Sequence, residues 1–173
     1  VRNAATSVRE ELRLEGLEVG FAPKIGVVFE TPAAALLGRD LLQSSDFAMI
    51  GLDTLAESLL MSDRRSFEER VVTRVRHLHP VVLRAVRKLV QLAEGMECEI
   101  GVYGESLVQN GLAQLLVGVQ VRRFAVRASI LRQAHGMLAK MNVDTCERVA
   151  EMACRTNTAK ELAACLPPSW LQS

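Results

Sequence analysis

Aromatic side chains are scarce: they make up 4% of the 173 residues, with a single Trp and a single Tyr. The core must therefore be built from Leu, Val, Ile, Ala and Met. Charge of one sign is also missing. The 21 Lys and Arg nearly cancel the 20 Asp and Glu, so the chain has no global field to gather nucleic acid or an anionic membrane. No apolar run approaches the roughly 18 to 20 residues that cross a bilayer, and a basic, then apolar, then small-residue secretion signal is absent. The four cysteines (Cys98, Cys146, Cys154, Cys165) form no CxxC pair, and His77, His79 and His135 form no HxxxH or HExxH pattern. These absences point away from disulfides and zinc toward reduced, partly buried thiols in a cytoplasmic protein.

What is present is apolar and orderly. Hydrophobic residues reach 49% against 24% charged, which excludes intrinsic disorder, and a mean hydropathy of +0.16 hints at apolar surface that needs a cover. A helical segment (VREELRLEGLEV) leads to a break at Gly16 and Gly20. Two short, almost wholly apolar runs follow, Ile25 to Glu30 and Asp46 to Leu52, and they read as buried parallel strands. Between them lies a helix with Thr31 as N-cap and Pro32 at its first position. His79-Pro80 opens a long amphipathic helix to Gly95. Cys98 to Tyr103 is a third strand, with a helix through Leu116 ended by Gly118. Val121 to Val126 is a fourth, weaker strand. From Ala128 onward the chain reads as helices, with Thr158 as a cap and Pro167-Pro168 as the stop. Four strand-then-helix alternations without a linker predict one parallel α/β unit over residues 1–173. Four are too few for a closed eight-stranded barrel, which needs about 250 residues. The expectation is therefore part of a longer protein, or half of a barrel completed elsewhere, with apolar edges and one inner face exposed until something covers them.

In parallel α/β folds the chemistry sits at the C-terminal ends of strands. Those ends are Glu30 with Thr31, Asp53 with Thr54, Tyr103 with Gly104 and Glu105, and Arg127. Glu30 stands out. A carboxylate directly after an apolar strand and before a Thr-Pro helix start suits a hard cation such as Mg2+, which prefers carboxylate oxygen; the plainer reading is an acid favoured by a helix dipole. The basic stretch from Arg64 to Lys88 has only Phe67 as an aromatic and is interrupted by Glu68 and Glu69, so it reads as a solvated helix face or a protein contact rather than a nucleic-acid site.

The strings IGVVFETPAAALL, DFAMIGLDTLAESLLMSDR, HPVVLRAV, GVYGE and QLLVGVQVRRFAV, in that order, resemble the phosphoenolpyruvate (PEP)-binding barrel of the PEP-utilizing enzymes. They are most like the Enzyme I group of the bacterial sugar phosphotransferase system. The likeness runs from about Val8 to Leu166. It implies the second half of a (βα)8 barrel, strands five to eight, with C-terminal helices. It also implies PEP as ligand, Mg2+ as cofactor, a homodimer, and a phosphocarrier protein as partner through the parent chain. Most of the substrate arginines would belong to the other half-barrel. Carried over by motif, Glu30 matches a metal-ligating carboxylate and Arg64 a phosphate-contacting arginine, whose guanidinium fork suits phosphate oxygens.

The departures from that pattern are as informative. Where the family reads Gly-Thr-Asn-Asp-Leu, this chain has Gly51-Leu52-Asp53-Thr54-Leu55. Thr54 thus occupies the metal-binding aspartate position, and Asp53 that of the substrate-contacting asparagine, where a carboxylate would repel phosphate. On an extended segment the two side chains would point to opposite faces, so Asp53 could not slide into the metal role without a backbone change. The family's proton-donating cysteine is replaced by Tyr103, an acid of reference pKa near 10 with a far larger ring, expected to plug the pocket. Arg122-Arg123 replace an acidic pair before Phe124, and the expectation there is a changed partner surface. Together these residues predict a degenerate, non-catalytic or regulatory member. The rival reading is an active PEP-protein phosphotransferase with a rewired metal site.

Overall fold

The computed structural model describes residues 1–61, 78–109 and 111–170. Four strands, β1 (Gly26–Phe29), β2 (Phe47–Gly51), β3 (Glu99–Tyr103) and β4 (Phe124–Ala125), form one parallel sheet in sequential order. Its register pairs Phe29 with Ile50, Gly51 with Tyr103, and Tyr103 with Ala125. The described helices are α1 (Arg2–Leu14), α2 (Pro32–Leu36), α3 (Gly38–Gln43), α4 (Leu52–Leu60), α5 (Pro80–Glu94), α6 (Leu112–Gly118), α7 (Leu131–Leu138), α8 (Val143–Arg155) and α9 (Ala159–Cys165). This arrangement of parallel βα units is consistent with the second half of a (βα)8 barrel. None of the described helices is long and apolar enough to cross a membrane.

The caps fall where the sequence places them. Thr31 Oγ1 accepts from the Ala34 amide (3.2 Å), Thr158 Oγ1 from Glu161 (3.1 Å), and His79 Nδ1 from Val81 (3.2 Å) ahead of Pro80. Each satisfies an amide that a helix start leaves without a carbonyl partner. Two expectations change. In place of the helix foreseen after Gly104 stand a short 3-10 turn, Ser106–Val108, and a separate α-helix that starts at Leu112 after Gly111. The fourth strand shrinks to two residues, leaving Arg122 outside the ladder. Its guanidinium donates to the carbonyls of Val117 (2.8 Å) and Val121 (3.2 Å) and faces Glu147 at 3.6 Å. Arg123 pairs with Glu99 at 2.6 Å. Both arginines thus have partners within the chain, Arg122 at the C-terminal end of α6, where a cation is favoured, and both remain half-exposed.

Strand side chains alternate between two faces. Phe29, Ile50 and Val102, all fully buried, meet Leu42, Leu55, Val86, Leu89 and Leu116 in the core beneath the helices. The other set, Val28 and Glu30, Phe47, Met49 and Gly51, Glu99, Gly101 and Tyr103, lies on the opposite face. There Val28 is 49% and Phe47 36% exposed, the open apolar face expected of a half-barrel. Below the sheet α6 and α8 touch at backbone distance: a Cβ on Gly118 would lie 2.2 Å from the Cys146 carbonyl oxygen. All four cysteines are free thiols; burial pushes those of Cys146 and Cys154 up from the ordinary range.

Candidate functional site

The C-terminal strand ends open on a cleft of 610 Å³, lined among others by Gly51, Asp53, Thr54, Tyr103, Glu105 and Arg127. Its central row follows from register. Gly51 pairs with Tyr103, and Glu30 follows Phe29, the partner of Ile50. Glu30 and Tyr103 therefore flank Gly51 on the same face. Because Gly51 has no side chain, the two reach across it: the Tyr103 hydroxyl donates to Glu30 Oε1 at 2.5 Å. A Cβ at position 51 would lie 2.7 Å from Glu30 Cγ, from Glu30 Oε1 and from the Tyr103 oxygen alike. Sequence reasoning missed this role for Gly51, although its signal, a lone glycine ending a strand between two functional strand ends, is visible there.

The second strand end differs from expectation. Residues 52–60 are helical directly after β2, so Asp53 and Thr54 sit in the first turn of α4 rather than on an extended segment. They diverge by about 100° instead of 180°, and they part company all the same: Asp53 is buried, at 7% exposure, while Thr54 is exposed at the cleft. Asp53 Oδ2 accepts the Glu105 amide at 2.6 Å, tying the start of α4 to the turn after β3. Gly104 makes room for it, since a Cβ there would stand 3.0 Å from Asp53 Oδ2. Glu105 in turn forms an ion pair with Arg127, exposed on both sides; pairs of that kind contribute little to stability, about 0 to 1 kcal/mol. Arg64 lies outside the described residues.

The four strand ends are thus brought together, but their polar groups face one another. Glu30 accepts from Tyr103, and Asp53 accepts from a backbone amide. Among the described residues no group of three His, Cys, Asp or Glu side chains gathers at one point. This donor set does not fit a Mg2+ site of the kind the sequence likeness implied: of the two positions concerned, one holds a carboxylate already hydrogen-bonded and the other a neutral, exposed Thr.

Tyr103 is held protonated by its surroundings. The hydrogen bond to Glu30, then partial burial, then the negative charges of Glu30 and Asp53 push its pKa up to about 12. A phenol whose pKa rises on folding contributes stability that is complete below the unfolded value, about 10, and is lost as pH climbs through about 12. Because the chain has one tyrosine, a near-ultraviolet titration, taken as the difference between the protein and Tyr103→Phe, should show ionisation near pH 12. A midpoint at 10 would mean that the Glu30 bond does not form in solution.

Comparison with known proteins gives the family. The family model described as "PEP-utilising enzyme, PEP-binding domain" matches residues 1–143. Relatives named phosphoenolpyruvate-protein phosphotransferase include one from Haloferax volcanii, 31% identical over 95% of this chain, and one from Streptomyces coelicolor, 33% identical over 83%. Another, from Listeria monocytogenes, is 26% identical over 93% of it. The chain spans 29%, 26% and 28% of those proteins respectively.

Proposed function

The chain belongs to the PEP-binding domain family of the PEP-utilising enzymes, and from that premise we propose that it is the PEP-binding and dimerisation half-barrel of a phosphoenolpyruvate-protein phosphotransferase-like protein whose own catalytic site has been dismantled. The observation that carries this reading is the Tyr103–Glu30 hydrogen bond. It joins the position of the family's proton donor to the position of its metal carboxylate, so that the phenol is committed and one of the two carboxylate oxygens is taken. A phenol held protonated to about pH 12 is a poor acid for delivering a proton at neutral pH, where efficient acids have pKa values near the working pH.

Other features support the same reading. Asp53, at the substrate-contacting position, is buried and bound to a backbone amide, where it would repel a phosphoryl group rather than bind it. Mg2+ affinity should be weak, since Thr54 offers a neutral oxygen in place of a carboxylate. The open apolar sheet face and its exposed Val28 and Phe47 suit closure by another half-barrel. A homodimer, and a phosphocarrier partner reached through the parent protein, are further parts of the proposal. The rival of a rewired active site would need Asp53 to turn from the Glu105 amide toward a cation.

Incubation of the intact parent protein with PEP labelled on phosphorus, with and without Mg2+, should leave it unphosphorylated. Calorimetry should show any PEP binding to be insensitive to Mg2+. Robust Mg2+-dependent phosphorylation of the unaltered protein would overturn the degenerate-site reading.

A further inference from the structure

We propose that the Tyr103 hydroxyl takes the place of a divalent cation at Glu30, making this strand-end row a cation-independent site closed by its own side chains. The inference rests on the reading above and deepens it: it assigns Tyr103 a positive role in place of a lost one.

Three observations meet at one point. The phenolic O–H, the positive end of a bond dipole, points at Glu30 Oε1 from 2.5 Å, within the range of short charge-assisted contacts. Gly51 clears the path between β1 and β3, because any side chain there would strike both groups at 2.7 Å. Asp53, the buried carboxylate at these strand ends, is directed to the Glu105 amide and tied into the α4 start. A cation that uses Glu30 Oε1 must displace the Tyr103 hydroxyl, so that bidentate binding is lost while the bond stands, and it would gain no second carboxylate already turned toward it. A hydrogen bond to an ionised acceptor is strong enough for that displacement alone to weaken cation affinity by about ten- to hundredfold.

Mn2+ without PEP is the probe, with its affinity read by calorimetry or by the loss of its free electron-spin signal. In the unaltered protein Mn2+ binding should be weak and unchanged by Glu30→Gln, because Glu30 is not a ligand there. Tyr103→Phe keeps the ring and removes only the hydroxyl; Tyr103→Ala removes both. Each should bind Mn2+ at least tenfold more tightly than the parent, with a Mn2+-dependent rise in melting temperature. The gain should vanish when Glu30→Gln is added. The inference is overturned if Glu30→Gln weakens Mn2+ binding in the otherwise unaltered protein, or if Tyr103→Phe gains no affinity. The Glu30→Gln comparison keeps Tyr103 in place, so it decides the matter even if the Tyr103 variants fail to fold. With PEP left out, these outcomes are independent of the phosphorylation assay that tests the function.

Discussion

Gly118→Ala is expected to lose about 2 kcal/mol of stability, whereas Gly136→Ala, in the neighbouring helix α7, is expected to gain up to about 1 kcal/mol. Both glycines lie in helices, and helix propensity alone favours alanine at each by about 1 kcal/mol. The surroundings set the sign. A Cβ on Gly118 would lie 2.2 Å from the Cys146 carbonyl oxygen and 2.6 Å from Ala150 Cβ. Neither atom belongs to a flexible side chain that could swing aside, so α6 and α8 would have to separate. Overpacking of this kind costs about 1 to 3 kcal/mol or more, and contact with backbone places it at the upper end, beyond what propensity returns. Around Gly136 nothing lies within 4 Å, and propensity acts unopposed. Denaturant unfolding of the two variants measures both signs, and equal destabilisation by both would refute the account of the α6–α8 contact.

The second large effect is a gain of function. Asp53→Asn, Thr54→Asp and Tyr103→Cys made together should raise PEP-dependent phosphoryl transfer, in a protein whose first half-barrel supplies the substrate arginines. General acid catalysis and electrostatic stabilisation are each commonly worth about 10²-fold or more, although effects within one site do not multiply. The structure indicates why the three must act together. Tyr103→Cys releases Glu30 from its hydrogen bond and returns a thiol to the proton-donor position. Thr54→Asp adds a carboxylate at an exposed position lining the cleft. Asp53→Asn removes a buried charge, and its amide oxygen still accepts from the Glu105 amide. Labelled PEP and a gel assay suffice to measure the effect. If the triple variant folds, binds PEP and transfers nothing, the losses at these positions do not explain the inactivity proposed here.

How much of this was legible beforehand depended on the range of each interaction. The first three strands were read from short apolar runs to within one or two residues, and Thr31, His79-Pro80 and Thr158 were placed at helix starts by the chemistry of their own side chains. Such signals are local: a run, a period or a cap involves residues a few positions apart. The family followed from motifs in order along the chain, and with it the identity of the strand-end residues. Local signals failed at the fourth strand, where Arg122 stands outside the ladder, at the end of α6 and facing Glu147 on α8. They failed again at Asp53, because nothing in Gly51-Leu52-Asp53 says that the helix begins at once.

The character of the site was decided by tertiary structure. Composition and motif showed that Glu30, Asp53 and Tyr103 stand at strand ends, and that a cysteine and an aspartate of the family pattern are missing. That Tyr103 spends its hydroxyl on Glu30, 73 residues earlier in the chain, depends on the register of three strands and on the absence of a side chain at Gly51 between them. That Asp53 holds a backbone amide depends on α4 starting beside the β3 turn. The reason is physical. Residue type sets what a group is able to donate or accept, and it is written in the sequence. Which partner lies within about 3 Å is set by how the strands and helices pack, and a hydrogen bond forms only at that distance.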